Sequence, residues 1–221
     1  MKLPDLHARL LADVLAIGSP YPLAITGGYA VQAHELLARP SQDLDVATEN
    51  PTPMDEIVTT LTGGLTARGW HVEVIEVAPL SARLNVTGSH GEGRCEVDVL
   101  KEVFTRPAVS SAYGPVLAEE DVIGTKVRAL AERGAARDAL DVFAASHRWT
   151  AIDLEEFGRR HAHDRFDLES LQTRLAAVAW LDDEELRAYG AAPELIDELM
   201  DWAQQWADDL NRRLLRDEDM D

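Results

Sequence analysis

The chain has 221 residues, 46% of them hydrophobic and 28% charged, enough for one good core or for one domain with a helical appendage. Its 21 basic and 40 acidic side chains leave a net charge of −19, which repels free nucleic acid at long range and attracts a cationic small molecule or a basic partner protein. The single cysteine, Cys95, excludes an intrachain disulfide, and no apolar run reaches the roughly 20 residues that cross a bilayer. With no apolar signal-peptide core at the amino terminus, a soluble cytoplasmic protein is expected.

In chain order, Leu6, Leu10, Leu11, Val14 and Ile17 form a helical stripe behind Pro4, ended by Gly18-Ser19-Pro20. Leu23 to Thr26 reads as a short buried strand, Tyr29 to Ala38 as a helix broken by Pro40, and Asp43 to Thr48 as the next strand. After the turn Asn50-Pro51-Thr52-Pro53, a helix over 55–68 is closed by Gly69, and 71–77 is a strand. The strands 83–87 and 94–100 are joined by the glycine-rich turn 88–93, which makes them antiparallel neighbours. Residues 103–105 and 114–117 read as irregular edge structure. Helices are then expected over 119–132, 137–146, 153–160, 167–180, 182–189 and 193–216, each with an acidic or proline start, before a frayed acidic end at 217–221. The fold class expected is α+β: a mixed sheet with flanking helices over 1–117, then a helical domain over 118–221. Residues 153–221 hold 20 acids against 8 bases, so the helical half carries most of the negative charge.

Chemistry concentrates in the first half. Gly27 and Gly28 follow a strand and open a helix, where glycine lets the backbone approach a phosphate and the first helical amides point at it. A glycine pair that only makes a tight turn is the commoner case. Neither a third glycine at the dinucleotide offset nor a P-loop lysine accompanies it. Asp43 and Asp45 share one face of their strand, where like charges repel unless a cation lies between them. Their oxygens suit Mg²⁺, while Leu44 and Val46 face the core. A two-metal arrangement, with ions roughly 4 Å apart, needs a third carboxylate on a neighbouring strand. Asp98, between Val97 and Val99, fits that need, and Glu96 on the same face is its rival. Standing alone, such acids more often cap turns. Ser41 could donate to a phosphate oxygen or to the local backbone, and Pro40 leaves the direction of Arg39 open.

A second cluster lies at Lys126, Arg133 and Arg137-Asp138-Ala139-Leu140-Asp141. Lys126 borders an apolar stripe, where it could snorkel or meet a triphosphate as a point charge. The plain account of the rest is a helical hairpin pinned by ion pairs such as Arg137 with Asp141. Trp180, Trp202 and Trp206 are expected in the core or an interhelical seam rather than as a base-stacking platform. His161 and His163 have no cysteine to join them as zinc ligands and stay unassigned.

Together these pieces resemble the AbiEii/AbiGii-type toxins of the nucleotidyltransferase superfamily, found in abortive-infection and toxin–antitoxin systems. The resemblance covers about residues 20–145. Gly27-Gly28-Tyr29-Ala30 is similar to the family's glycine motif and Ser41-Gln42-Asp43-Leu44-Asp45 to its serine-x-aspartate-x-aspartate element. Lys126 matches the family lysine and Arg137-Asp138-Ala139-Leu140-Asp141 the element that follows it. The resemblance implies Mg²⁺-dependent transfer of a nucleoside monophosphate from an NTP to an acceptor such as RNA, including the tRNA 3′ end, with a separate antitoxin protein as partner. It implies catalytic roles for Asp43, Asp45, Asp98 and Lys126, metal binding by the three aspartates, and nucleotide contacts from Gly27, Gly28, Ser41, Lys126, Asp138 and Asp141. A small-molecule nucleotidyltransferase of the aminoglycoside-modifying kind shares the chemistry and suits the acidic surface. A non-catalytic binding protein of the same fold is the third reading.

Overall fold

The computed structural model describes residues 1, 3–88, 93–162, 164 and 166–218. Contacts divide the chain into two compact units, Met1–Val122 and Ile123–Asp221. The first contains α1 (Asp5–Ile17), β1 (Ala24–Ile25), α2 (Gly27–Ala33), β2 (Asp43–Thr48), α3 (Met54–Ala67), β3 (His71–Val77), β4 (Ser81–Thr87), β5 (Arg94–Lys101), β6 (Val109–Ser111) and β7 (Gly114–Val116). Helix α4 (Glu119–Arg133) begins in this unit and runs into the second.

The strands form one seven-stranded sheet in the order β3-β4-β5-β2-β1-β7-β6, with β2 parallel to β5, β1 parallel to β7 and the other pairs antiparallel. The register follows from period-two alternation. Leu44 pairs with Val97 and Val97 with Leu84, while Val46 pairs with Val99 and Val99 with Ala82, all buried. These residues join Leu10, Leu11 and Val14 of α1 and Ile57, Leu61 and Leu65 of α3 in the core. Each leucine or valine buried there is worth about 1.5–3 kcal/mol. A one-residue slip of β2 would exchange Leu44 and Val46 for Asp43 and Asp45.

The helix after the glycine pair ends at Ala33, short of the expected Ala38. Glu35 adopts φ 56, its amide bonds to Gln32 O at 3.1 Å, and the Leu36 amide bonds to Val31 O at 3.1 Å. That is a Schellman cap with glutamate where glycine usually stands, so the sequence carried no stop signal before Pro40. By contrast α3 ends where expected, with Gly69 at φ 88 and Trp70 N bonded to Leu65 O. Of the residues expected to be irregular, 114–116 form β7, which pairs with β6, and Ile25 of β1 pairs with Val116. Three-residue strands are too short to show a period. The turn residues 89–92, His163 and the end at 219–221 lie outside the described residues.

The second unit continues with α5 (Ala136–Ser146), α6 (Ala151–His161), α7 (Leu168–Ala176), a 3₁₀ turn (Ala177–Trp180), α8 (Asp183–Ala188) and α9 (Pro193–Glu218). Thr150 and Asp153 form a capping box on α6, and Asp167 and Asp182 cap α7 and α8. Trp202 stacks between Phe143 and Trp206, and the buried Trp206 donates Nε1–H to Glu155 at 3.0 Å. Arg213 pairs with the same carboxylate, so buried Glu155 is compensated. Trp180, expected in the core or a seam, is instead 88% exposed at the end of the 3₁₀ turn. No described helix is long and apolar enough to cross a membrane.

Candidate active site

The face of β2, β4 and β5 opposite the core carries the chemistry. Asp45 stands in register with Asp98 and Asp98 with Arg83; one row along, Asp43 pairs with Glu96 and Glu96 with Asn85. The three expected carboxylates therefore lie on one side of the sheet, two of them in the same row.

The glycine pair closes over this face. Gly27, at the first position of α2, has φ 60, and a Cβ there would lie 1.8 Å from Asp45 Oδ2. A Cβ at Gly28 would lie 2.5 Å from Ser41 Oγ. Only glycine lets the chain turn left-handed and pass this close to the carboxylate. The Thr26 amide bonds to Asp45 O at 2.9 Å and fixes strand to turn. Ser41 Oγ donates to Asp43 Oδ1 at 3.0 Å, so the serine orients the acid. Its own segment is held from behind: the Tyr29 hydroxyl donates to Ser41 O at 3.2 Å and lies 2.7 Å from His7 Nδ1, which is thereby the donor to it. Burial lowers the pKa of His7, against the opposing pull of Asp43, and pushes the Tyr29 phenol up to about 12, helped by Cys95 and Asp43. Cys95 is likewise pushed up to about 12 by burial and then by Asp43 and Asp45. Arg39 is buried and donates to Pro40 O at 3.1 Å. Beside Ser41 a cavity of about 660 Å³ is lined in part by Tyr29, Leu37, Arg39 and Pro40.

The two carboxylates of Asp43 and Asp45 on one strand are hard oxygen donors, which is chemistry that fits a divalent cation such as Mg²⁺; on β4, with β5 between, Asn85 Oδ1 is buried without a hydrogen-bond partner among the described residues. Among the described residues no three His, Cys, Asp or Glu side chains converge closely enough to form a metal cage. Asp98 is already engaged by a cation. Arg83 donates Nε–H to Asp98 Oδ1 at 2.8 Å and Nη2–H to Oδ2 at 2.7 Å, and its Nε lies 3.2 Å from Glu96. These bonds raise the pKa of Arg83. The sequence reading missed Arg83, although the signal was present. Once the hairpin closes Thr87 on Arg94, counting back places residue 83 opposite residue 98.

The second cluster is assembled within the second unit. Lys126 Nζ lies 3.1 Å from Asp141 Oδ2 and 3.9 Å from Asp138 Oδ1, and all three residues are buried. Arg133 grips Asp138 with two bonds, of 2.7 and 2.9 Å. Asp141 thus meets Lys126, the residue that lacked an obvious local partner on the sequence. Two buried acids against two bases hold the lysine ammonium in a fixed place.

A glycine turn closing on an aspartate pair carried by the middle strand of a mixed sheet is the arrangement expected of a nucleotidyltransferase. Residues 9–219 match the family described as "Nucleotidyl transferase AbiEii toxin, Type IV TA system", and the chain belongs to that family. Among solved structures it is similar to MenT4, a nucleotidyltransferase toxin from Mycobacterium tuberculosis H37Rv, at 16% identity and TM-score 0.58, over 94% of this chain and 86% of that one. It is also similar to JHP933 from Helicobacter pylori, at 15% identity and TM-score 0.55, over 99% of both chains. At these identities the likeness is one of fold. No curated protein matches the chain.

Proposed function

We propose that this nucleotidyltransferase transfers a nucleoside monophosphate from an NTP to an RNA acceptor, with tRNA as the first candidate, and that it acts as the toxin beside a separate antitoxin protein. The observation that carries the site assignment is the packing of Gly27 against the carboxylate of Asp45, with Asp43 on the same face. Asp43 and Asp45 would hold Mg²⁺, with Asp98 next in the row. Amides at Gly27 and Gly28 and the hydroxyl of Ser41 would bind the phosphates. The adjoining cavity has the size for base and ribose. Lys126 is assigned to the triphosphate on its own chemistry, as an ammonium oriented by Asp138 and Asp141.

In the reaction, an acceptor hydroxyl oxygen bonds to the α-phosphorus, the bond from that phosphorus to the bridging oxygen breaks, and pyrophosphate leaves with the electron pair. The hydroxyl proton passes to solvent or to a carboxylate of the row. Asp43 and Asp45 would hold a divalent ion that, when bound, would supply Lewis-acid polarisation of the α-phosphate and a lowered pKa for the attacking hydroxyl. The chain's own contribution is to line up nucleotide and acceptor beside fixed charges.

Purified protein is incubated with each α-labelled NTP, Mg²⁺ and total tRNA and resolved on a gel. Labelled RNA is expected from the wild type and none from Asp45→Asn. Unchanged transfer by the variant would overturn the assignment, and label on the protein itself would replace RNA transfer by self-modification.

A further inference from the structure

Arg83, Asp98 and Asp45 stand in one row across β4, β5 and β2, and both oxygens of Asp98 are bonded to the guanidinium at 2.8 and 2.7 Å. The Asp98 side chain is 14% exposed, so removing its counter-charge would strand a largely buried carboxylate. A two-ion site needs that carboxylate to bridge or ligate ions roughly 4 Å apart. A guanidinium holding it in the bidentate mode occupies a lone pair on each oxygen and cancels the charge that would draw in a second cation. Glu96, the other acid that could step in, lies 3.2 Å from the same Arg83 Nε.

We propose that Arg83 is a fixed cation built into this site: it stands where a second metal would otherwise balance Asp98, and it leaves Asp43 and Asp45 to hold a single divalent ion. Arg83 is then a positioning residue that sets metal stoichiometry. The inference rests on the metal assignment to Asp43 and Asp45 made above. It follows that Asp98 contributes little to the affinity of the bound ion, and that loss of Arg83 frees a carboxylate beside Asp45 for a second one.

The test counts Mn²⁺ bound to the full-length protein, from the free-ion EPR signal and by calorimetry with Mn²⁺ alone. Wild type is expected to bind one ion, and Asp98→Asn to bind it within about twofold of wild type. Partners that act only through a ligand already carry about 10–100-fold of metal affinity, so loss of a direct ligand would cost at least about tenfold. Arg83→Met is expected to take up a second ion and Arg83→Lys, which retains a cation, to stay at one. Thermal melting of each variant checks that it is folded, and Asp98→Asn decides the matter by itself if Arg83→Met does not fold. Two ions in the wild type, a tenfold loss in Asp98→Asn, or a single ion in folded Arg83→Met would each overturn the proposal while leaving the metal assignment standing. No ion in the wild type, or undiminished binding by Asp45→Asn, would instead overturn the metal assignment itself.

Discussion

At the residue scale the tightest constraint is Gly27. Its φ of 60 already costs a side chain about 1–2 kcal/mol. A methyl group would also overlap the Asp45 carboxylate, with Oδ2 at 1.8 Å and Cγ at 2.4 Å. The substitution Gly27→Ala is expected to lower unfolding stability by at least about 1 kcal/mol and to abolish transfer, because relief of the overlap moves Asp45. A urea titration and the labelling gel check the two effects separately; wild-type transfer by a stable Gly27→Ala protein would contradict the geometry. His7, two contacts behind Ser41, gives a pH signature. Burial lowers its folded pKa below the ordinary 6.5, so the unfolded chain binds the extra proton first. Its contribution is fully present above about pH 6.5 and is lost as pH falls from there through the folded value. His7→Phe should therefore flatten part of the decline of stability on acidification, measured by urea midpoints from neutral pH downward.

At the scale of elements, alternation made the central sheet readable. Over 43–46 of β2 and 96–99 of β5 acids and apolar residues alternate, so these faces, and with them Asp43, Asp45 and Asp98, were legible in the sequence. What lay between elements was less so. Arg83 belongs to the site only through the β4–β5 register, which requires writing out the hairpin pair by pair. Lys126 and Asp141 meet because two helices pack, a fact that no local window contains. The early end of α2 was hidden because Glu35 occupies a conformation that usually announces itself as glycine. This makes Glu35→Gly a stabilising change of about 0.5–1 kcal/mol, seen as a higher urea midpoint at unchanged slope. A lower midpoint would mean that the contacts of the Glu35 side chain outweigh the strain in its backbone.

At the scale of the whole molecule the net charge of −19 bears on the polyanionic acceptor proposed above. A protein that gripped RNA through 6–10 phosphate contacts would lose about 10³–10⁵ in affinity as salt rises from roughly 50 to 200 mM. Here the long-range field opposes RNA, and salt screens it, with a Debye length of about 8 Å at physiological strength. If RNA is the acceptor, kcat/KM should hold or rise over that salt range, since relief of repulsion offsets the loss of the few local contacts. A cationic small molecule bearing hydroxyls would be drawn in by the same field, and its kcat/KM should fall with salt. The direction of the salt effect thus separates the two acceptor classes, even when both can be labelled at low ionic strength. A steep fall with RNA would show that a local basic surface, and not the total charge, governs the encounter. In that case charge reversal at exposed arginines would weaken RNA transfer, while the same changes would leave the melting temperature near that of the wild type.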